Sequence, residues 1–311
     1  MTVRETEFGR FVKTDEKQII TLEQYLEKKY SKSTLASNLY NIKRFTDYYQ
    51  NKSETATYTD ILNYIAHLRK NYDLHPKTLR HCLTGVKIYF NYLLEIGTRK
   101  DHPCSELFLK DKIDRQIQVD TLYSPQTLEN FFINYQIKKK KQLENRNKII
   151  ISLLVYQALT VSEISDLEVE NINLELCEIH IKKGHHQRER TLPLNAKQVL
   201  LFYNYLEKER VNLLKYNLKN PTETAFILGQ YGEKVNPHGI SKRINENLKP
   251  SEKLQPMKIR QSVIANLLKK ENDTRIVQVF SGHRRASTTV QYKQTELEIL
   301  QNAVNNYHPI K

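Results

Sequence analysis

Apolar residues recur three or four positions apart through the first hundred residues, and that spacing returns after Pro237. One interval of strict alternation, Cys177-Glu178-Ile179-His180-Ile181-Lys182, lies between them. The switch of period restricts the chain to helices around a small antiparallel sheet. A spacing of three or four lines up side chains on one face of a helix, whereas alternation lines them up on one face of a strand. Thr21 is placed to cap a helix over Leu22 to Tyr30. Leu35, Leu39, Ile42, Phe45 and Tyr49 mark a second helix, and Ile61, Leu62, Ile65 and Leu68 a third. A fourth runs from Pro76 through Leu79, Leu83, Val86, Phe90 and Leu94 to a stop at Gly97, which completes a four-helix module.

The text then becomes polar and weakly periodic. Ser124-Pro125-Gln126-Thr127-Leu128-Glu129 restarts a helix with a Ser cap and a Pro in the first turn. The expected organisation is a 1–16 extension, a helical domain over 17–103, a linker over 104–121 and a second domain over 122–311. In that second domain Ile149 to Leu159 reads as a core helix. The alternating segment pairs with a strand over Arg190 to Leu194 across the Lys183-Gly184-His185-His186-Gln187 turn, and Thr224 to Leu228 is a candidate third strand. The Lys138 to Lys141 run reads as a charged helix end or loop.

Lys and Arg total 49 against 35 Asp and Glu, a formal charge of +14 spread along the chain, which calls for an anionic partner. Ile149 to Leu159 is interrupted by Ser152 and Gln157 and falls far short of the roughly 20 residues a membrane span requires. The N-terminus lacks the apolar stretch of a secretory signal, so an intracellular, cytoplasmic protein is expected. Cys82, Cys104 and Cys177 are odd in number and widely spaced, so neither a disulfide framework nor a metal motif is expected.

The region from Pro256 to Tyr292 holds Met257-Lys258-Ile259-Arg260, Ser281-Gly282-His283 and Thr288-Thr289-Val290-Gln291-Tyr292. Upstream lie Ala158-Leu159-Thr160-Val161-Ser162-Glu163-Ile164 and the stretch from Gly184 to Leu194. In this order the motifs resemble those of the tyrosine recombinase, or phage integrase, family. There H-x-L-R-H, L-G-H and T-T-x-x-Y close the chain, after G-L-R-[IV]-S-E-L and a G-K-G-x-K-x-R-x-V-P-L hairpin. Asn305-Asn306-Tyr307-His308-Pro309 resembles the tails of the Xer branch. The resemblance covers nearly all of residues 17 to 311. It implies an N-terminal four-helix SAM-like core-binding domain and a C-terminal α+β catalytic domain.

It also implies a site-specific recombinase that cuts and rejoins double-stranded DNA through a 3′-phosphotyrosine, with no cofactor and no metal. Tyr292 would be the nucleophile, Arg260 the clamp on the non-bridging oxygens, and His283 a further donor to the phosphate. The general acid at the hairpin tip falls on His185, or on Lys183 if the turn slips. Three positions depart from the family: Thr160 stands where the first catalytic arginine belongs, His185 at the hairpin lysine, and Met257 at the histidine or lysine before Arg260. Arg188, Arg190, His186, Arg284 and Arg285 are candidates to replace the missing charge.

On the helical domain, Lys43, Arg44, Lys77, Arg80, His81 and Lys87 lie off the apolar stripes and are candidate DNA contacts. Relatives clamp DNA between their two domains and synapse as tetramers, nucleoid-associated when bound. Leu297, Leu300 and Val304 form a C-terminal stripe suited either to a neighbouring protomer or to their own domain. The alternative reading is a weak or inactive homologue that serves as an architectural DNA-binding protein. A relaxing type IB topoisomerase would share the tyrosine chemistry.

Overall fold

The computed structural model describes residues 20–112, 117, 121–136, 143–184, 187–246 and 248–292. The chain divides into two compact units between Arg115 and Gln116.

The first unit holds α1 (Leu22–Lys29), α2 (Lys32–Tyr49), α3 (Tyr58–Asn71) and α4 (Pro76–Glu95). Thr21 and Thr57 close capping boxes with Gln24 and Asp60, so two helix starts satisfy their own orphan amides. Pro76 opens α4, and Gly97, at φ +78°, ends the turn beyond it. Phe45 anchors the core, meeting the rings of Tyr49, Tyr64, Tyr89 and Phe90 edge to face. Helices α2 and α4 come close at Gly85, where a Cβ would sit 2.6 Å from that of Asn41.

The core does not end at residue 103. Cys104 and Leu107 are buried in it and Leu109 packs against it, so the segment expected to be linker begins as part of this unit. Arg80 donates to the Asp111 carbonyl at 2.5 Å, and Lys87 donates to the Ser105 carbonyl at 2.7 Å while lying over the Phe108 ring. Both fasten that segment to α4.

The second unit contains α5 (Pro125–Ile133), α6 (Glu144–Tyr156), α7 (Val161–Asp166), β1 (Ile172–Asn173), β2 (Glu178–Ile181) and β3 (Arg190–Pro193). Then follow α8 (Ala196–Asn204), a π-helical turn (Tyr205–Arg210), α9 (Val211–Leu214), α10 (Pro237–Asn245), α11 (Pro256–Lys269) and α12 (Thr274–Ser281). Residues 286–292 are again helical. Helix α6 is buried on all sides, with Ile149, Ile150, Ile151, Leu153 and Leu154 inaccessible. Each such side chain contributes roughly 1.5–3 kcal/mol of burial. Its polar members are satisfied internally: Gln198 donates to Ser152 Oγ at 2.9 Å, and Gln157 to the Pro193 carbonyl at 2.9 Å.

The sheet is antiparallel in the order β1-β2-β3, with Ile179 facing Ile172 on one side and Leu192 on the other. Its third strand is therefore the short β1, not Thr224 to Leu228. Residues 225–228 are buried and make only isolated bridges, Ala225 with Glu168 and Leu228 with Lys234. Several of their main-chain groups are taken instead by side chains, while the Phe226 amide donates to the Leu167 carbonyl: Arg210 donates to the Ala225 carbonyl, and Tyr205 Oη donates to the Phe226 carbonyl and accepts from the Leu228 amide. With those groups satisfied locally, no ladder is needed.

Among the described residues no helix is long and apolar enough to cross a membrane. The Lys138 to Lys141 run, His185, His186, and Leu297, Leu300 and Val304 lie outside the described residues.

Candidate active site

Three of the residues singled out by sequence converge in the second unit. Arg260, the fifth residue of α11, is buried. Its Nη1 donates to the Ala158 carbonyl, and its Nη2 to the Ser281 carbonyl at 2.5 Å. Both acceptors sit at helix ends: Ala158 follows α6 with φ +50°, and Ser281 closes α12 before Gly282 at φ +69°. Helix ends leave carbonyls without intrahelical donors, so one guanidinium fork holds two termini together. The left-handed φ at Ala158 accounts for the glycine usual at the matching place in the G-L-R motif, since a Cβ is strained there.

The turn at Gly282 delivers His283 into the same place. Its amide donates to the Gln278 carbonyl at 3.1 Å, and its Nδ1 is 2.9 Å from Thr289 Oγ1. Burial, reinforced by the guanidinium groups of Arg260 and Arg190, pushes the imidazole down to about 4, so it is neutral at physiological pH. The Tyr292 ring runs nearly parallel to it, 16° between planes with centroids 6.3 Å apart, and packs on Ile264, Ala265, Leu268 and Val277. Only 8% of Tyr292 is exposed. Burial pushes its phenol up, while the Arg260 charge pulls it the other way.

Glu163, which the sequence reading quoted but gave no role, organises the opposite side. Its Oε1 accepts from Arg190 Nη1 at 2.7 Å, and its Oε2 accepts from the Thr160 amide at 2.8 Å and hydroxyl at 3.0 Å. Oε2 also lies 3.8 Å from Arg260 Nη1. Thr160 is thus the N-cap of α7 in a complete capping box. Its hydroxyl already donates to a carboxylate. The only cue to this role was the spacing Thr160-Val161-Ser162-Glu163, itself a capping-box pattern.

A cleft of about 610 Å³ opens between these parts, lined by Thr160, Glu163, Lys183, Gly184, Met257 and Arg260 among others. Met257 is 61% exposed on its wall. Lys182 is occupied by Glu168 and Glu170, whereas Lys183 is exposed on the rim and has no carboxylate partner among the described residues. The returning side of the hairpin is tied to the Gly282 turn: Gln187 bridges His283, and the Arg188 amide donates to the Gly282 carbonyl at 2.9 Å. Arg190, a candidate replacement for the missing charge, is buried beneath Gly282 in an ion pair with Glu163 and donates through Nε to the Phe280 carbonyl at 2.8 Å. A Cβ at position 282 would lie 2.4 Å from its Nη1, so glycine is required there for space as well as for its φ. Arg188, Arg284 and Arg285 are exposed.

In the first unit Lys43, Lys77 and His81 are exposed, and Arg44 is half-buried under the Tyr72 ring, 4.1 Å from its centroid. Arg80 and Lys87 differ from the expectation of free contacts, because both are committed to the 105–111 segment.

A sequence model described as the phage integrase family matches residues 128–298, and one described as the phage integrase N-terminal SAM-like domain matches residues 20–98. The tyrosine recombinase XerD of Oceanobacillus iheyensis is 25% identical over 304 residues, 91% of this chain and 95% of that protein. The XerH site-specific recombinase bound to its difH substrate in a pre-cleavage complex shares the fold at a TM-score of 0.65, with 16% identity over 90% of this chain and 84% of that one. The Tn1549 transposon integrase in complex with a circular intermediate DNA gives 0.60, with 15% identity over 91% and 99%. Motifs, fold and both family matches agree, and the chain belongs to the phage integrase family of tyrosine recombinases.

Proposed function

We propose that the protein is a site-specific recombinase that breaks and rejoins DNA through a covalent bond between Tyr292 and a 3′ phosphate. The observation that carries this reading is the joint placement of Arg260, His283 and Tyr292, with a neutral imidazole beside a phenol and a buried guanidinium within electrostatic reach of both. In the reaction the phenol gives its proton to water, its oxygen attacks phosphorus and the 5′ oxygen departs with a proton from the hairpin. His185 at the hairpin tip, outside the described residues, donates that proton, with Lys183, which lines the cleft, as the alternative. When Thr289 donates its hydroxyl hydrogen to His283 Nδ1, the ring proton sits on Nε2, where it can serve a phosphoryl oxygen. Storing the energy of the broken bond in a phosphotyrosine lets strands exchange without a nucleotide or a metal.

The proposal extends to double-stranded DNA as partner, four protomers joining two sites, exchange of the segment after Tyr292 between protomers, and action in the cytoplasm on the nucleoid. Similarity to Xer recombinases over most of both chains supports these features. The domain limits proposed are 17–103 and 122–311 as minimal modules, the first extended by the core-packed residues to Leu109.

A second reading, a DNA-binding homologue with little catalysis, draws on the committed hydroxyl of Thr160 and the uncharged Met257. Loss of one preorganised donor to the transition state costs about a hundred- to a thousandfold in rate. The test is a nicked DNA substrate, chosen by selection from a random pool, that traps the cleaved strand. Wild type should give a covalent protein–DNA band and Tyr292→Phe none. Binding without any band from wild type favours the second reading.

A further inference from the structure

The cleft lacks a cation at position 160, and the nearest buried arginines do not replace it freely. Arg190 is 6% exposed and paired with Glu163, and its Nη2, without a partner among the described residues, is sealed from the surface. Arg260 has its own family role. Two other guanidinium groups stand differently. Arg284 Nη2 crosses to the hairpin and donates to the Gly184 carbonyl at 3.1 Å, while Arg188 Nη2 crosses back and donates to the Arg284 carbonyl at 3.2 Å.

This reciprocal tie has three physical consequences. Each guanidinium gives a hydrogen bond to an uncharged acceptor and has no carboxylate partner among the described residues, and its other N–H groups bond nothing among them. The two are held against the backbone of the hairpin, part of which lines the cleft, and of the turn after Gly282, one next to His283 and one past the hairpin tip beyond Lys183. Arg285 and Lys183 are exposed on the same two segments, with no carboxylate bound to any of the four among the described residues. Like charges drawn together in this way repel, and an anion between them removes the repulsion.

We infer that Arg284 and Arg188 form a phosphate clamp that supplies, from the hairpin rim, the positive charge missing at Thr160. Its ligand is a backbone phosphate of the DNA strand entering the cleft, so the inference rests on the recombinase reading. The guanidinium fork suits it, because its remaining donors match two phosphoryl oxygens while one nitrogen keeps its tie to the carbonyl. On this account positive charge has moved from the start of α7 to the turn after Gly282.

The test is the salt dependence of binding of the full chain to a fluorescent 30-base-pair duplex of arbitrary sequence. For wild type and for Arg284→Gln, Arg188→Gln and Arg284→Lys, log Kobs is plotted against log salt, with the unfolding temperature recorded beside it. Each phosphate contact contributes about 0.9 to the slope. The clamp requires each Gln variant to flatten the slope by about that amount while Arg284→Lys, which keeps the charge, retains it. A steep wild-type slope unchanged in both Gln variants overturns the clamp and leaves the DNA reading standing. An equal loss in Arg284→Lys and Arg284→Gln, with lower unfolding temperatures, assigns the tie to hairpin structure and also overturns the clamp. Wild-type binding indifferent to salt removes the DNA reading itself, and the clamp with it.

Discussion

The two sides of the cleft solve different problems with the same residue types. On the side built from α11, α12 and the last described helix, Arg260, His283 and Tyr292 keep the identities of the family motif and face one another. On the side built from α7 and the hairpin, the charged motif position is a threonine whose hydroxyl and amide both turn to Glu163. The first side keeps the motif residues together. The second holds a helix start. Glu163 joins them, since one carboxylate serves Thr160, Arg190 and, at 3.8 Å, Arg260. The contrast teaches that a motif position can lose its chemical group while the scaffold around it stays intact, provided the carboxylate that balances the buried arginines remains.

The sharpest way to break this contrast is to remove the shared carboxylate. Glu163→Gln leaves Arg190 and Arg260 buried without a counter-charge, and losing one partner of such a buried pair costs roughly 3–5 kcal/mol. Urea unfolding should show a loss of that size. A loss below 1 kcal/mol would mean that the two sides do not depend on one carboxylate.

The next effect isolates the chemical side. The His283 imidazole is held at about 4 in the folded protein against 6.5 ordinarily, because burial and two guanidinium groups oppose its charge. The unfolded chain therefore binds a proton at higher pH than the folded one. This contribution to stability is complete above about pH 6.5 and is lost as pH falls towards 4, by roughly 3 kcal/mol at most. His283→Asn should flatten the stability profile across that window. An unchanged profile would contradict a buried, neutral imidazole.

The smallest effect concerns the cap. Thr160→Ala should cost about 1 kcal/mol through loss of the hydroxyl that accepts from the Glu163 amide at 3.2 Å. Thr160→Arg should lose the same cap yet gain cleavage of the trapped substrate, by about tenfold or more if one missing charge limits the rate. Lower stability without faster cleavage would assign the shortfall to Met257 or to the hairpin rather than to position 160.

Much of this could be read along the chain. Thr21, Ser124 and Pro76 mark helix starts through residues two or three positions away, and Gly97 marks a stop by its own φ. The order of Arg260, His283 and Tyr292 picked out three residues that the fold brings together. The third strand was misplaced because β1 is two residues long and carries no alternation to detect, whereas Ala225 to Leu228 is apolar and extended for another reason. Arg80 and Lys87 read as free cations because their acceptors, the Asp111 and Ser105 carbonyls, are main-chain atoms with no side-chain signature.

Spacing and residue type were thus sufficient for the helices and the hairpin, since each depends on neighbours within a turn. Folding was needed to establish that Thr160 turns its hydroxyl to Glu163, that Arg190 is paired with the same carboxylate and that Arg188 and Arg284 bond main-chain carbonyls. Those outcomes depend on which carboxylate or carbonyl each group meets, and the partners lie 27 residues away for Arg190 and 96 to 100 away for the other two. Burial then fixes how much each charge is worth, a property of the packed interior that no local run of residues carries.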